Sequence, residues 1–232
     1  MWIILVLVAV AMDGGALVGD AELDEGNVYE CLQEGWKHDL RNTWWIIDYN
    51  RQSLDGVVHE GLWEKIDAIF KAFGWRTVVL RHGVLQREAF KEPGGEALKE
   101  WIQNCPNMDY SALTYKGGKA WRKRLMNDIG DQGDVSALLD KRSDEELDAL
   151  MNNLGGQCLA TLTEAFDKID DDKPTVFLAY TIKGWGTPIA GHKDNHGGLM
   201  TKSQMAAWQK HMGVNEGAEW EKFATVDDPD PL

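Results

Sequence analysis

Asp20 and Asn50 are the residues whose types and positions best fit the binding of a metal ion. Asp20 comes just after the apolar residues 15–18, and Asn50 comes directly after a second apolar run at 44–49. Carboxylate and amide oxygens suit hard cations, and Mg²⁺ in proteins is usually held by one or two carboxylates together with substrate phosphates. If the fold brings these two side chains together, they can hold Mg²⁺ against a phosphate-bearing ligand.

The segment between them indicates how the two residues meet. The apolar side chains there recur at helical spacing, at Val28, Leu32, Trp36 and Leu40, so the unit is predicted to be strand–helix–strand. A right-handed crossover makes the two strands parallel neighbours. Asp20 and Asn50 then lie at their carboxyl ends, the edge where open α/β sheets bind ligands.

The rest of the chain predicts more of the same architecture. A helical stripe from Leu62 to Phe73 ends at Gly74, a strand is expected at 75–80, and a further helix is expected at about 157–169. A strand at 175–180 delivers Lys183 to the same sheet edge. We therefore predict an α/β fold, a doubly wound parallel sheet with helices on both faces.

The domain organisation follows from the composition along the chain. We expect an apolar segment of uncertain role at 1–14, one domain at 15–225 with a helical insertion near 85–140, and a polar tail at 226–232. The apolar start lacks a preceding Lys or Arg and is too short to span a bilayer. It is expected to be an additional strand or the start of a truncated chain, with a secretion signal as the alternative. Capping boxes, Ser143 with Glu146 and Thr201 with Gln204, predict two helix starts.

Two sequence blocks carry a family resemblance. Gly19-Asp20-Ala21-Glu22-Leu23-Asp24-Glu25 and Asn50-Arg51-Gln52-Ser53-Leu54-Asp55-Gly56 resemble the diphosphate-binding motif of thiamine diphosphate enzymes. Within that superfamily they are most similar to the homodimeric E1 component of pyruvate dehydrogenase, with transketolase as the close relative. A later block, Thr181-Ile182-Lys183-Gly184-Trp185-Gly186, belongs to the same resemblance, which extends from about residue 16 to 212.

The resemblance implies a metal and cofactor site. Asp20 and Asn50 would bind Mg²⁺ through side-chain oxygens, and Gln52 would add its main-chain carbonyl. The metal would bridge the two phosphates of thiamine diphosphate. The cofactor would also contact Gly19 and the main-chain amides of Ala21 and Glu22, where a helix begins and an anion is stabilised.

Three further features of the match concern Lys183, His196 and Ala21. Lys183 corresponds to a lysine near the phosphates in E1 enzymes. His196 corresponds to a catalytic histidine over the cofactor in transketolases, with His192 as a second candidate in a mobile loop over residues 184–200. Ala21 replaces the second glycine of the usual G-D-G, which is tolerated only if its φ is negative. The remaining histidines are expected at the surface or at helix caps, and they are His38, His59, His82 and His211.

The resemblance also implies a reaction and partners. The expected enzyme is an E1 that decarboxylates pyruvate and transfers the acyl group to a lipoyl-bearing E2. The alternatives are transketolase-type ketol transfer and a catalytically silent cofactor-binding fragment. Family members are several times longer, so a pyrimidine-binding domain or subunit would be missing from this chain, which would be inactive alone. A homo-oligomer is expected.

Composition excludes some classes of partner. The net charge of −14 over 232 residues argues against nucleic acid or an anionic membrane. It also means that a bound diphosphate would need a metal and local amides. The cysteines Cys31, Cys105 and Cys158 are widely spaced and odd in number, which favours a reducing, cytoplasmic location over a disulfide framework or a zinc site. The basic cluster at residues 119–124 is expected to be a solvated helix face or a contact for an acidic partner.

Overall fold

A parallel sheet of four strands forms the centre of the molecule. The computed structural model describes residues 14–53, 56–221 and 225. The strands, in spatial order, are β1 (Gly14–Gly19), β2 (Thr43–Tyr49), β6 (Thr175–Tyr180) and β5 (Arg76–Leu80). All three neighbouring pairs are parallel. After β2 the short strands β3 (Gln52–Ser53) and β4 (Gly56–Val57) form an antiparallel pair.

Helices make the connections between these strands. In chain order they are α1 (Gly26–Lys37), α2 (Leu62–Ala72), α3 (Val84–Ala89), α4 (Gly95–Asn104), α5 (Asn107–Lys116), α6 (Gly118–Ile129), α7 (Val135–Asp140), α8 (Asp144–Met151), α9 (Leu159–Phe166) and α10 (Lys202–His211). Within the described ranges no helix is both long and apolar enough to cross a membrane. The predicted caps of α8 and α10 are confirmed, since Ser143 and Thr201 each accept a hydrogen bond from the amide three residues on. Gly74 ends α2 with φ of +80°.

The two faces of the sheet bury different side chains, which places helices on both. Trp44 lies 5.4 Å and 5.3 Å, centroid to centroid, from the rings of Phe166 and Phe177 on one face. Its neighbour Trp45 lies 5.6 Å from Phe70 on the other. Successive strand residues point to opposite faces, so a continuous apolar strand is buried on both sides. The predicted doubly wound α/β fold is confirmed.

The strand register brings three chain segments to one edge of the sheet. Gly19 at the end of β1 is paired with Asp48, and Tyr49 at the end of β2 is paired with Tyr180. Thr181 then donates its main-chain amide to the carbonyl of Tyr49, at 3.2 Å. The residues that follow β1, β2 and β6 therefore converge.

Helices α3–α8 occupy the region between β5 and β6 where an insertion was expected. Their buried residues, such as Trp121 and Leu138, belong to the same core cluster as Trp45 in β2. Two members of the basic segment are paired within the chain, Arg122 with Asp144 at 2.6 Å and Arg124 with Asp128 at 2.6 Å. The domain boundaries remain predictions, and residues 1–13 and the whole predicted tail, 226–232, lie outside the described residues.

The predicted helix between β1 and β2 is present as α1. Trp36 is 64% exposed and Leu40, beyond the end of α1, is 48% exposed, because α1 buries only its central turn around Leu32. The expectation for His82 was wrong. His82 is not a surface or capping residue. Its ring packs 5.0 Å from that of Phe90 and its Nδ1 lies 2.8 Å from the side-chain oxygen of Gln86. His82 is half-buried, and this burial lowers its pKa.

Candidate functional site

Asp20 and the chain around Asn50 are in direct contact. Asp20 begins a 3₁₀ helix, Asp20–Asp24, and its side chain is buried, with 4% exposed. Its Oδ2 accepts a hydrogen bond from the main-chain amide of Arg51 at 2.6 Å. The Asn50 Oδ1 accepts one from the amide of Gln52 at 3.0 Å. The structure thus brings together Asp20, Asn50 and Gln52, as the strand–helix–strand prediction requires.

The Asp20 carboxylate is poorly compensated in this environment. Burial raises the pKa of Asp20 from 3.8 to about 6, against the lowering effect of the main-chain amides of Arg51 and Ala21, and the carboxylate of Asp48 raises it further. Its second oxygen, Oδ1, is buried and accepts no hydrogen bond from the described residues. A buried carboxylate oxygen without a donor costs free energy, and a bound cation removes that cost.

Asp48 is a second acid at this edge, partly buried, and the sequence pattern did not reveal it. Burial raises the pKa of Asp48, while hydrogen bonds from the Thr181 hydroxyl and the Asn50 side chain lower it, as does the positive charge of Lys183. Asp48 lies within the apolar run of β2, where it was interpreted as part of the strand. A buried carboxylate and a partly buried one in the same site favour a positively charged ligand.

Arg51 is the other residue that the sequence analysis missed. It has φ of +65°, in the left-handed region that non-glycine residues rarely adopt. Its buried guanidinium donates to the carbonyl of Thr181 at 2.9 Å and lies 5.5 Å and 5.6 Å from the ring centroids of Tyr110 and Tyr180. Arg51 thereby ties the segment after β2 to the end of β6 and to α5. Strained backbone of this kind is concentrated at functional sites.

These residues fit Mg²⁺ bound together with a ligand that supplies further oxygens. The free Asp20 Oδ1 and the Asn50 amide oxygen are hard donors of the kind that Mg²⁺ takes. Among the described residues no three His, Cys, Asp or Glu side chains cluster so as to hold a metal by themselves. The remaining positions around a cation would therefore be filled by ligand phosphates and water.

The turn after β1 differs from expectation in one respect. Ala21 and Glu22 lie in the 3₁₀ helix, and the α-helix begins only at Gly26. The turn is closed by Glu25, whose amide donates to the Glu22 carbonyl at 3.1 Å. Positive φ among described non-glycine residues is restricted to Asp39, Asn42 and Arg51. Ala21 therefore meets the condition for replacing a glycine.

Glu22 adds a negative charge beside this turn. Its carboxylate turns back to accept a hydrogen bond from the amide of Gly19 at 2.6 Å. An anionic ligand at the amides of Ala21 and Glu22 would therefore be close to a second carboxylate as well as to Asp20. This arrangement makes neutralisation by a cation necessary for a diphosphate.

Lys183 reaches the same edge from β6, as expected. It follows Thr181 and Ile182, and its charge acts on Asp48. Its carbonyl accepts hydrogen bonds from the Asn195 side chain at 2.8 Å and from the amide of Gly191 at 3.1 Å. Lys183 therefore contributes positive charge to the site and also anchors the loop that follows.

That loop carries the two histidine candidates. His196 lies in a turn and its side chain is exposed, so the structure does not bury it among the residues at the sheet edge. His192 packs its ring 4.7 Å from that of Tyr115 in α5. The loop nevertheless touches the site through Gln52, whose side-chain Nε2 donates to the carbonyl of Lys193 at 3.0 Å.

Comparison with known proteins finds relatives that are pyruvate dehydrogenase E1 components. The chain is 28% identical over 194 residues to the pyruvate dehydrogenase E1 component of Escherichia coli K12, which covers 82% of this chain and 21% of that protein. The Corynebacterium glutamicum E1 component is 27% identical over 175 residues, 74% of this chain and 18% of that protein. No family model matches the chain. It spans about a fifth of the length of the curated relatives it matches.

Proposed function

We propose that this chain, a distant homologue of the thiamine diphosphate-dependent pyruvate dehydrogenase E1 component, is the Mg²⁺- and diphosphate-binding domain of an E1-type enzyme. The observation that carries the proposal is the contact of Asp20 with the Arg51 amide, which leaves a buried Asp20 oxygen free beside Asn50. Thiamine diphosphate, when bound, would supply a nucleophilic carbon and an electron sink for carbon–carbon bond cleavage.

The residues at the sheet edge would hold the cofactor by charge. Asp20 and Asn50 give side-chain oxygens to the metal, and Gln52 gives its main-chain carbonyl. Lys183 offsets part of the phosphate charge. The amides of Ala21 and Glu22, next to Gly19, face the phosphates at the start of the 3₁₀ helix. In a chain of net charge −14, this local positive potential is needed to bind a polyanion.

The loop after Lys183 would serve the reacting end of the ligand. When it closes, it excludes water, and His196 donates a hydrogen bond to the oxygen on which negative charge develops. The His196 side chain is exposed in a turn, where movement of the loop can carry it toward the ligand.

The chain requires a partner in this proposal. It corresponds to about a fifth of each relative, so a pyrimidine-binding domain or subunit would complete the active site, and a homo-oligomer would form the assembly. The reaction would be decarboxylation of pyruvate followed by acyl transfer to a lipoyl group on an E2 partner. A second candidate, ketol transfer of the transketolase type, is supported by Asn195-His196-Gly197. A silent cofactor-binding fragment is the third.

Turnover assays separate these candidates. The purified chain alone should give background rates with pyruvate and with xylulose 5-phosphate. Addition of a chain that carries the pyrimidine-binding domain should restore pyruvate decarboxylation. Restoration with xylulose 5-phosphate instead would favour ketol transfer, and failure with both, despite cofactor binding, would favour the silent fragment. Clear turnover by the chain alone would contradict the proposed division of the active site.

A further inference from the structure

The main chain and the side chain of Gln52 contact two different parts of the site. It is buried, with 3% exposed. Its main chain belongs to the segment after β2, where its amide donates to Asn50 Oδ1 at 3.0 Å. Its side chain leaves this segment, and Nε2 donates to the carbonyl of Lys193 at 3.0 Å, 141 positions further along the sequence. Burial fixes the rotamer of this long side chain, so its origin and its end are rigidly related.

The loop that receives this bond is closed by main-chain hydrogen bonds between its own residues, such as the Ala190 amide to the Thr187 carbonyl at 3.1 Å, and its His192 ring packs on Tyr115 in α5. Residues 184–198 contain no regular helix or strand, and Gly184, Gly186 and Gly191 have positive φ. The Asn195 side chain donates to the carbonyls of Lys183 and, more weakly, Ile189, which closes the loop upon itself. Such segments open at low free-energy cost. The hydrogen bond from Gln52 links this loop to the segment after β2, whereas the His192 ring links it to α5.

We propose that Gln52 is a positioning residue that couples occupation of the metal site to ordering of the loop that carries His196. The proposal rests on the proposed function, because the main-chain carbonyl of Gln52 is the atom assigned to Mg²⁺. When the metal holds that carbonyl in place, the side chain attached to it also loses conformational freedom. The hydrogen bond from the side chain to Lys193 then forms with a smaller loss of conformational entropy. Lys193 lies three residues before His196, so the same bond restrains the approach of that histidine to the site.

The coupling must act in both directions. If the metal and cofactor order the loop, an ordered loop must raise their affinity by the same factor. Removal of the Gln52 side-chain amide should therefore abolish the effect of the cofactor on the loop. It should also weaken cofactor binding, although every atom assigned to the metal remains.

The test compares wild type with Gln52→Met, which fills the same volume, removes the hydrogen-bond donor and keeps the main chain. Gln209→Met is the matched control, since Gln209 donates to the exposed Glu219 at 2.9 Å, away from the site. Hydrogen exchange of peptides covering 186–198 is measured on the protein assembled with its pyrimidine-binding partner, with and without Mg²⁺ and thiamine diphosphate. Calorimetry measures cofactor binding on the same samples, and thermal unfolding confirms that the variants are folded.

In wild type and Gln209→Met, the cofactor should slow exchange in this loop by about fivefold or more, within the usual range of allosteric coupling. In Gln52→Met it should leave loop exchange unchanged, and its affinity should fall by a similar factor. Equal slowing in Gln52→Met, with wild-type affinity, would overturn the coupling and leave the proposed function intact. Absence of binding heat in wild type would overturn both, so the two failures are distinguishable.

Discussion

The ionised side chain of Asp20 should destabilise the folded protein when no metal is bound, and the neutral substitution Asp20→Asn should restore part of that stability. Burial raises the pKa of Asp20 from 3.8 to about 6, and each pH unit of such a difference corresponds to about 1.4 kcal/mol. In a chelating buffer at pH 8, the ionised carboxylate therefore costs up to about 3 kcal/mol of folding free energy. Asp20→Asn removes the charge and keeps an oxygen for the Arg51 amide. It also weakens that charge-assisted hydrogen bond, so the expected net gain is about 1–2 kcal/mol.

The pH dependence gives the sharper measurement. Because the folded-state pKa of this acid is raised, the folded chain binds the proton more tightly than the unfolded chain. Protonation of Asp20 therefore adds stability to wild type as the pH falls through 6. Linkage with these two pKa values gives about 1.4 kcal/mol between pH 8 and pH 5. The advantage of Asp20→Asn over wild type should shrink by that amount over the same interval.

The assay is urea denaturation in EDTA at both pH values, followed by circular dichroism. Asp24→Asn is the matched control, since Asp24 lies in the same 3₁₀ helix but is exposed. Its free energy of unfolding relative to wild type should be the same at both pH values. The reasoning would be refuted by an Asp20→Asn advantage that is equal at pH 8 and pH 5, or that grows as the pH falls.

Two further predictions concern the loop and the strained residue. In the full assembly, His196→Ala should lower kcat/KM by roughly 10²-fold or more with little change in cofactor affinity. His192→Ala should lower kcat/KM by a smaller factor. Full activity of His196→Ala in steady-state assays would contradict the catalytic role of His196. Arg51→Ala should lower the free energy of unfolding by about 1 kcal/mol more than Arg51→Gly. Both variants lose the guanidinium, but only glycine adopts φ of +65° without strain. Equal urea midpoints for the two variants would show that the backbone at residue 51 is not strained.

The sequence predicted the elements that have local signals. Two apolar runs and the crossover rule were enough to bring Asp20 next to the segment of Asn50, and the largely apolar run Thr175–Tyr180 defined β6. The Ser143 capping box and Gly74 marked helix ends. These features depend on side chains within a few positions of each other, so spacing alone reveals them.

The residues that were missed depend on contacts between distant parts of the chain. Asp48 receives its hydrogen bond from Thr181, 133 positions away, and Arg51 is held between Tyr110 and Tyr180. Neither partnership leaves a periodic pattern. The burial of His82 likewise follows from how α3 packs against the strand end.

The central claim is that Asp20 holds the metal through which thiamine diphosphate binds. Its most direct test is calorimetric titration of thiamine diphosphate into the assembled protein, with Mg²⁺ or with EDTA, for wild type, Asp20→Ala and Asp24→Ala. We expect saturable binding only with Mg²⁺. The affinity should be at least about tenfold lower for Asp20→Ala, which corresponds to about 1.4 kcal/mol, and unchanged for Asp24→Ala. Binding of Asp20→Ala as tight as that of wild type in Mg²⁺ would contradict the account.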